Sequence, residues 1–155
     1  MINHGDGKLL GETHGTRVAL MGTTDATIQT WAQVPLPVEE GPDVFDQWGH
    51  WISFAHVPGE THGRLLLSWF TTSGSDSLHA NRQVSVAGTT STDDGATFSA
   101  ISFIAAGTGV PWLLTDKWGD YNGGAVSPSD GDVLSAWSDT RAGGQTNIWG
   151  HGFAP

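Results

Sequence analysis

The chain of 155 residues has the length of one ordinary domain and can bury a core. Its 16 acidic and 6 basic residues give a net charge of −10, which argues against nucleic acid as a partner, because phosphate binding needs clustered Lys and Arg. The absence of cysteine excludes disulfides and thiolate zinc sites, and no apolar run approaches the roughly 20 residues that a membrane-spanning helix needs.

The composition predicts an all-β protein. Twenty-two Gly, 8 Trp and only 14% charged residues are typical of short strands that are joined by many tight turns. Gly or Pro interrupts every segment that is long enough for a helix. The first residues, Met1 to Gly7, are polar, so no signal peptide is visible and the compartment stays open.

In chain order, residues 1–14 are predicted as an N-terminal segment and residues 15–155 as a series of strands. Two strands fall in residues 15–40, four in residues 46–106 and three in residues 112–155. The predicted strands are Arg17–Met21, Thr27–Leu36, Trp51–His56, Arg64–Phe70, Gln83–Ala87, Phe98–Ile104, Tyr121–Val126, Asp132–Trp137 and Asn147–Gly150. Turns are predicted between them at Pro58-Gly59, Ser73-Gly74 and Asp94-Gly95.

Three sequence markers recur at a spacing of 67–70 residues, which indicates an internal repeat. Asp46-Gln47-Trp48-Gly49-His50-Trp51 aligns with Asp116-Lys117-Trp118-Gly119-Asp120-Tyr121, and Trp69 aligns with Trp137. The segment that ends at Trp31 aligns with the one that ends at Phe98, but Ala26 and Ile28 replace its Asp and Gly. We therefore expect the earlier turn to close differently. Trp69 and Trp137 are predicted to be core residues.

The segment from Ser91 to Phe98 predicts a specific turn. Asp93 can accept backbone N–H bonds, Gly95 can take a positive φ, and the hydroxyls of Ser91 and Thr97 can add bonds across the turn. Phe98 is expected to begin the next strand and to bury its ring. These residues are structural candidates and not catalytic ones.

This Ser-x-Asp-x-Gly-x-Thr-aromatic pattern resembles the Asp-box of the sialidase-like (BNR-repeat) β-propellers, and the resemblance covers roughly residues 15–153. It implies a partial propeller of four-stranded antiparallel blades, about two blades plus part of a third. In that family the motif is the turn between the third and fourth strands. Because propellers close a ring, the resemblance implies self-association or missing blades, and a secreted or cell-surface setting if the chain is a fragment.

The resemblance places the ligand-binding face at the end of the blades opposite this turn. The candidate ligand-binding residues there come from two repeats and are Trp48, His50, Trp51, Trp118, Asp120, Tyr121, Asp139 and Arg141. Their aromatic rings would form a sugar platform or, alternatively, would pack neighbouring blades together. Asp139 and Arg141 would bind a ligand or pair within the loop.

The predicted function is a non-catalytic scaffold or glycan-binding module. The alternative is a sialidase-like glycoside hydrolase that uses Asp120, Tyr121, Asp139 and Arg141, since glycoside hydrolysis needs two suitably spaced carboxyl groups. A true sialidase is disfavoured, because the chain has no Arg-Ile-Pro motif and only four arginines. No metal site and no cofactor are predicted; a calcium ion held by Asp120, Asp139 and loop carbonyls is the one metal alternative.

Overall fold

A computed structural model of the chain describes residues 2–4, 17–24, 26–37, 44–73, 83–105, 123–139 and 147–154. These residues form ten strands and no helix, so the all-β prediction is confirmed for them. The strands are β1 (Ile2–His4), β2 (Arg17–Gly22), β3 (Ala32–Val34), β4 (Val44–His56), β5 (Gly63–Ser73), β6 (Gln83–Ser91), β7 (Ser102–Ala105), β8 (Gly123–Val126), β9 (Val133–Asp139) and β10 (Asn147–Phe153). None of the described residues belongs to a helix long and apolar enough to span a membrane.

The strands form three antiparallel sheets, each of which follows the chain in order. Strands β1 to β3 form a three-stranded sheet, β4 to β7 a four-stranded sheet, and β8 to β10 a second three-stranded sheet. None of the three sheets closes on itself among the described residues. The four-stranded sheet and the three-stranded sheet of β8 to β10 match the predicted strand order.

Every one of the nine predicted strands overlaps an observed strand, but several boundaries differ. Strand β4 begins at Val44, seven residues before its predicted start at Trp51. Strand β1 lies in the segment that was predicted to precede the strands, and it pairs with β2. The strand predicted from Thr27 is confined to β3, because residues 26–28 form a turn. Strand β7 begins at Ser102, not at Phe98. The Ser99 hydroxyl accepts the Thr90 backbone N–H at 3.0 Å, so a side chain replaces part of the ladder there.

The central strands of the four-stranded sheet are covered on both faces, which explains the long buried run in β5. Leu66 packs with Val126 and Val133 of the last sheet, and Phe70 packs in one cluster with Trp137. On the opposite face, Leu67 and Trp69 pack with Ala87 and with the half-buried Leu36 and Ile101. Successive side chains alternate between the two faces of a strand, so each apolar residue of β5 has a neighbour to cover it. Trp69 and Trp137 are buried, as predicted.

The two repeat-related turns share one backbone feature that the sequence does not predict. Gly95 has a φ of 86° and Ile28, at the equivalent position, has a φ of 57°. The earlier turn nevertheless closes differently, as expected, because Thr27, at the position of Asp94, has no positive φ and Ala26 supplies no carboxylate. A β-branched residue in the left-handed region is disfavoured, because its Cβ crowds the following carbonyl.

We expect Ile28→Gly to raise the free energy of unfolding by roughly 0.5–1 kcal/mol, since relief of the left-handed strain exceeds the entropy that glycine costs. Ile28 is 62% exposed, so little packing is lost. Ala26→Gly, in the same turn but without a positive φ, is the control and should lower stability. Chemical denaturation of the three proteins checks this, and destabilisation by both substitutions would contradict the account.

Candidate functional site

Three of the predicted ligand-binding residues lie on β4, and the structure shows their surroundings. Trp48 is half-buried and stacks on Phe70, with 5.6 Å between the ring centroids and 29° between the planes. Gly49 follows with a φ of 57°, and the register of β4 against β5 shifts between Trp48 and Trp51. This bulge turns the chain, so that the Trp48 ring packs into the core and Trp51 reaches a different sheet.

Trp51 joins the four-stranded sheet to the last sheet. Its indole N–H donates to the Gly124 carbonyl of β8 and to the Ser53 hydroxyl, both at 3.1 Å. Ser53 in turn donates to the same carbonyl at 2.5 Å. The Trp51 side chain nevertheless stays 45% exposed. Trp48 thus stacks on a neighbouring strand of its own sheet, whereas the Trp51 indole bonds to the last sheet.

His50 lies between these two tryptophans in the sequence and is half-buried. Its Nδ1 atom is buried and has no hydrogen-bond partner among the described residues. Burial lowers the pKa of His50. The imidazole is therefore held neutral, which leaves Nδ1 able to donate or to accept one bond according to its tautomer.

The candidate ligand-binding residues together form what we call the predicted rim, and the structure does not place the remaining ones. Trp118, Asp120, Tyr121 and Arg141 lie outside the described residues, and Asp139 ends β9 with a side chain that is not described. The proposed calcium ligands and the proposed acid/base pair fall within this group, so both stay predictions. Within the described ranges, no group of three His, Asp or Glu side chains is arranged to hold a metal ion.

The Ser91–Phe98 turn has the hydrogen bonds that its sequence predicts. The Asp93 carboxylate accepts the Thr97 backbone N–H at 2.8 Å, the Thr97 hydroxyl at 2.5 Å and the Ser91 hydroxyl at 2.7 Å. Ser91 Oγ accepts the Gly95 N–H at 2.9 Å. The bonds from Thr97, followed by the one from Ser91, lower the pKa of Asp93 to about 2. Phe98 is only half-buried and precedes the strand, so the prediction for its ring holds in part.

Asp94 ties this turn to the turn between β4 and β5, a role that the sequence reading missed. Its carboxylate accepts the Gly63 N–H at 2.6 Å and contacts His62 Nδ1 at 2.8 Å, and these two bonds lower the pKa of Asp94. The Asp94 N–H also donates to the Gly63 carbonyl at 3.1 Å. The turns after the first and third strands of this sheet thus lie at one end of it. The tolerance of Asp for a left-handed φ, here 60°, was the available signal.

Arg64 is the arginine whose side-chain contacts the structure describes, and it is already paired. Its guanidinium donates to both Glu60 carboxylate oxygens, at 3.0 and 2.5 Å. The bond to Glu60 raises the pKa of Arg64, and the same contact lowers the pKa of Glu60. This two-pronged pair occupies the edge of the guanidinium formed by Nε and Nη2.

We expect the free energy of unfolding to fall as the pH drops from about 4 to about 2, because Asp93 has a lower pKa folded than unfolded. A carboxylate with a depressed pKa contributes stability above its unfolded pKa and loses that contribution as it becomes protonated. Asp93→Asn should be less stable than the parent at neutral pH, and the difference should shrink across this window. Parallel stability curves for the two proteins would show that Asp93 does not contribute in this way.

Searches of protein-family models, curated proteins and solved structures find no significant match to this chain.

Proposed function

We propose that the chain is a non-catalytic scaffold that forms an arc of a sialidase-like β-propeller, with each sheet as one blade. A second copy of the chain covers the open face, which is the face of the last sheet that carries Leu134 and Ile148. One comparison carries the proposal. Aligning Trp69 with Trp137 places Leu66 of β5 on Leu134 of β9. Leu66 is fully buried beneath Val126 and Val133 of the following sheet, whereas Leu134 is 49% exposed.

The face of β9 that carries Leu134 is thus the repeat equivalent of the face of β5 that carries Leu66. The following sheet covers the face of β5. Leu134 and Ser138 are four residues apart on β9 and therefore share one face of the sheet. Ile148 of β10 pairs with Ser138, so it lies on that face as well. Ile148 is 70% exposed. Small residues separate these side chains, as Gly150 pairs with Ala136. A face with two exposed apolar side chains and small residues between them fits a second sheet, and sheets pack face to face at a spacing of about 10 Å.

The propeller assignment rests on the sequence repeat and on two pairs of equivalent residues that share a structural feature. Trp69 and Trp137 occupy equivalent positions, and both are buried at the interface with a neighbouring part of the fold. Ile28 and Gly95 occupy equivalent positions and both take a positive φ. Agreement between sequence spacing and local geometry at two separate positions supports one repeated structural unit.

A non-catalytic role is favoured because the described part of the rim is engaged in packing. Trp48 stacks on Phe70, and Trp51 is hydrogen-bonded to Gly124. The second candidate role is glycan binding at this rim, for which the 45% exposure of Trp51 is the supporting observation. The glycoside hydrolase alternative needs residues beyond the described ranges and has no comparable support.

Sedimentation velocity tests the scaffold proposal. We expect the parent chain to self-associate and Ile148→Glu to sediment as a folded monomer, because a buried unpaired charge opposes sheet-on-sheet packing. Ile28→Glu is the matched control, since Ile28 is similarly exposed but lies in a turn. A monomeric parent chain, or equal dissociation by both variants, would refute the open-face proposal. Turnover of aryl glycosides or of a fluorogenic sialoside by the parent chain would refute the non-catalytic one.

A further inference from the structure

A groove of about 570 Å³ lies between the two repeat-related turns, at the end of the sheets opposite the predicted rim. One wall comes from the first turn and β3, and the other from the Ser91–Phe98 turn. Its volume falls in the range of about 300–1,000 Å³ that is typical of small-ligand sites. The lining residues used below are Thr24, Trp31, Gln33, Asp93 and Asp94.

The first wall presents an indole and an amide side by side. Trp31 and Gln33 are two residues apart at the start of β3, and residues at this spacing share one face of an extended chain. Trp31 is 55% exposed, whereas Phe98, its repeat equivalent, is half-buried. Neither the Trp31 indole N–H nor the Gln33 side-chain amide has a hydrogen bond to another described residue. The first repeat therefore exposes an aromatic face that the second repeat uses for packing.

The opposite wall supplies acceptors and no positive charge. The Asp94 carboxylate has two described partners, Gly63 N–H and His62, and an ionised carboxylate has about four acceptor positions. No Lys or Arg is among the described residues that line the groove. Together with a net charge of −10, this wall disfavours an anionic ligand and suits one that is rich in neutral hydroxyl groups.

We propose that this groove binds a neutral oligosaccharide. A pyranose ring presents apolar C–H groups on one face, which fit the exposed indole of Trp31, and hydroxyls at its edge. Those hydroxyls can donate to Asp94 and exchange hydrogen bonds with the Gln33 amide, which has both donors and an acceptor. This role goes beyond the scaffold function and is independent of the rim around Trp51.

Isothermal titration calorimetry with four neutral tetrasaccharides tests the proposal; the probes are cellotetraose, xylotetraose, maltotetraose and N-acetylated chitotetraose. We expect at least one to bind the parent chain, and Trp31→Ala to weaken that binding about fivefold, because loss of an aromatic contact is worth about 1 kcal/mol. Gln33→Ala should weaken it as well, and Trp31→Phe should keep part of the affinity. Thermal denaturation of each variant establishes that it remains folded.

Two controls separate this groove from other surfaces. Trp149→Ala removes another exposed indole, on β10, and should leave the affinity unchanged. Trp51→Ala probes the rim: loss of binding there, with binding kept in Trp31→Ala, would overturn the groove proposal and support glycan binding at the rim. The groove proposal also fails if none of the four probes binds at millimolar concentration, or if 3′-sialyllactose or choline binds more tightly than all of them.

Discussion

Trp137→Ala is expected to lower the free energy of unfolding by about 3–5 kcal/mol, the usual cost of removing a buried large aromatic side chain. Trp137 is 4% exposed and belongs to one cluster with Phe70, Val84 and Val86 of the neighbouring sheet. Its removal leaves a cavity between two sheets, not within one. We therefore expect the backbone amides of β8 to β10 to lose hydrogen-exchange protection more than those of β5 and β6.

Trp31→Ala is the control for this prediction, because it deletes the same side chain at a position that is 55% exposed. Its cost should be about 1 kcal/mol or less. Urea denaturation of both variants, with hydrogen exchange read by mass spectrometry, makes the comparison. Equal costs at the two positions, or uniform loss of protection across all sheets, would show that Trp137 does not hold the sheets together.

Gly49→Ala is expected to destabilise the fold by about 2–5 kcal/mol, through backbone strain and a steric clash together. Gly49 has a φ of 57°, and a Cβ atom there would lie 2.7 Å from Cδ2 of Phe70. The Phe70 ring is 1% exposed and packed on Trp48, so it has little room to move. The bulge that directs Trp48 inward and Trp51 toward Gly124 would be disturbed as well.

Gly59→Ala separates the two causes. Gly59 has a φ of 89°, but nothing lies within 4 Å of a Cβ atom built there, so this variant tests backbone strain without a clash. We expect it to cost about 1–2 kcal/mol. If Gly49→Ala costs no more than Gly59→Ala in denaturant unfolding, the contact between Gly49 and Phe70 is not the constraint that the structure implies.

The features that were predicted correctly from the sequence are those with a local cause. Trp69 and Trp137 were predicted to be core residues of strands at equivalent positions of the repeat, and the sheets bury both. The spacing of hydroxyl and carboxylate groups from Ser91 to Thr97 predicts a turn whose polar groups bond to one another. The observed hydrogen bonds form within these seven residues. Such interactions need no knowledge of the rest of the chain.

The features that the sequence did not predict depend on contacts between distant residues. Whether an indole packs or stays open is decided by what covers it, so Trp51 could not be assigned to Gly124, 73 positions away, from its motif alone. The exposure of Trp31 has the same origin. Strand β1 is three residues long and has too few positions to show an alternating pattern. Ile28 takes a left-handed φ against its own preference, so local propensity argues against the observed turn.

The most direct test of the scaffold proposal is the native mass of the parent chain at micromolar concentration. In this proposal a second copy covers the open face around Leu134 and Ile148, so we predict that native mass spectrometry detects discrete assemblies whose masses are multiples of 16.3 kDa. The same spectrum of Ile148→Glu should collapse to the single-chain mass. A parent chain found only at 16.3 kDa would contradict the proposal.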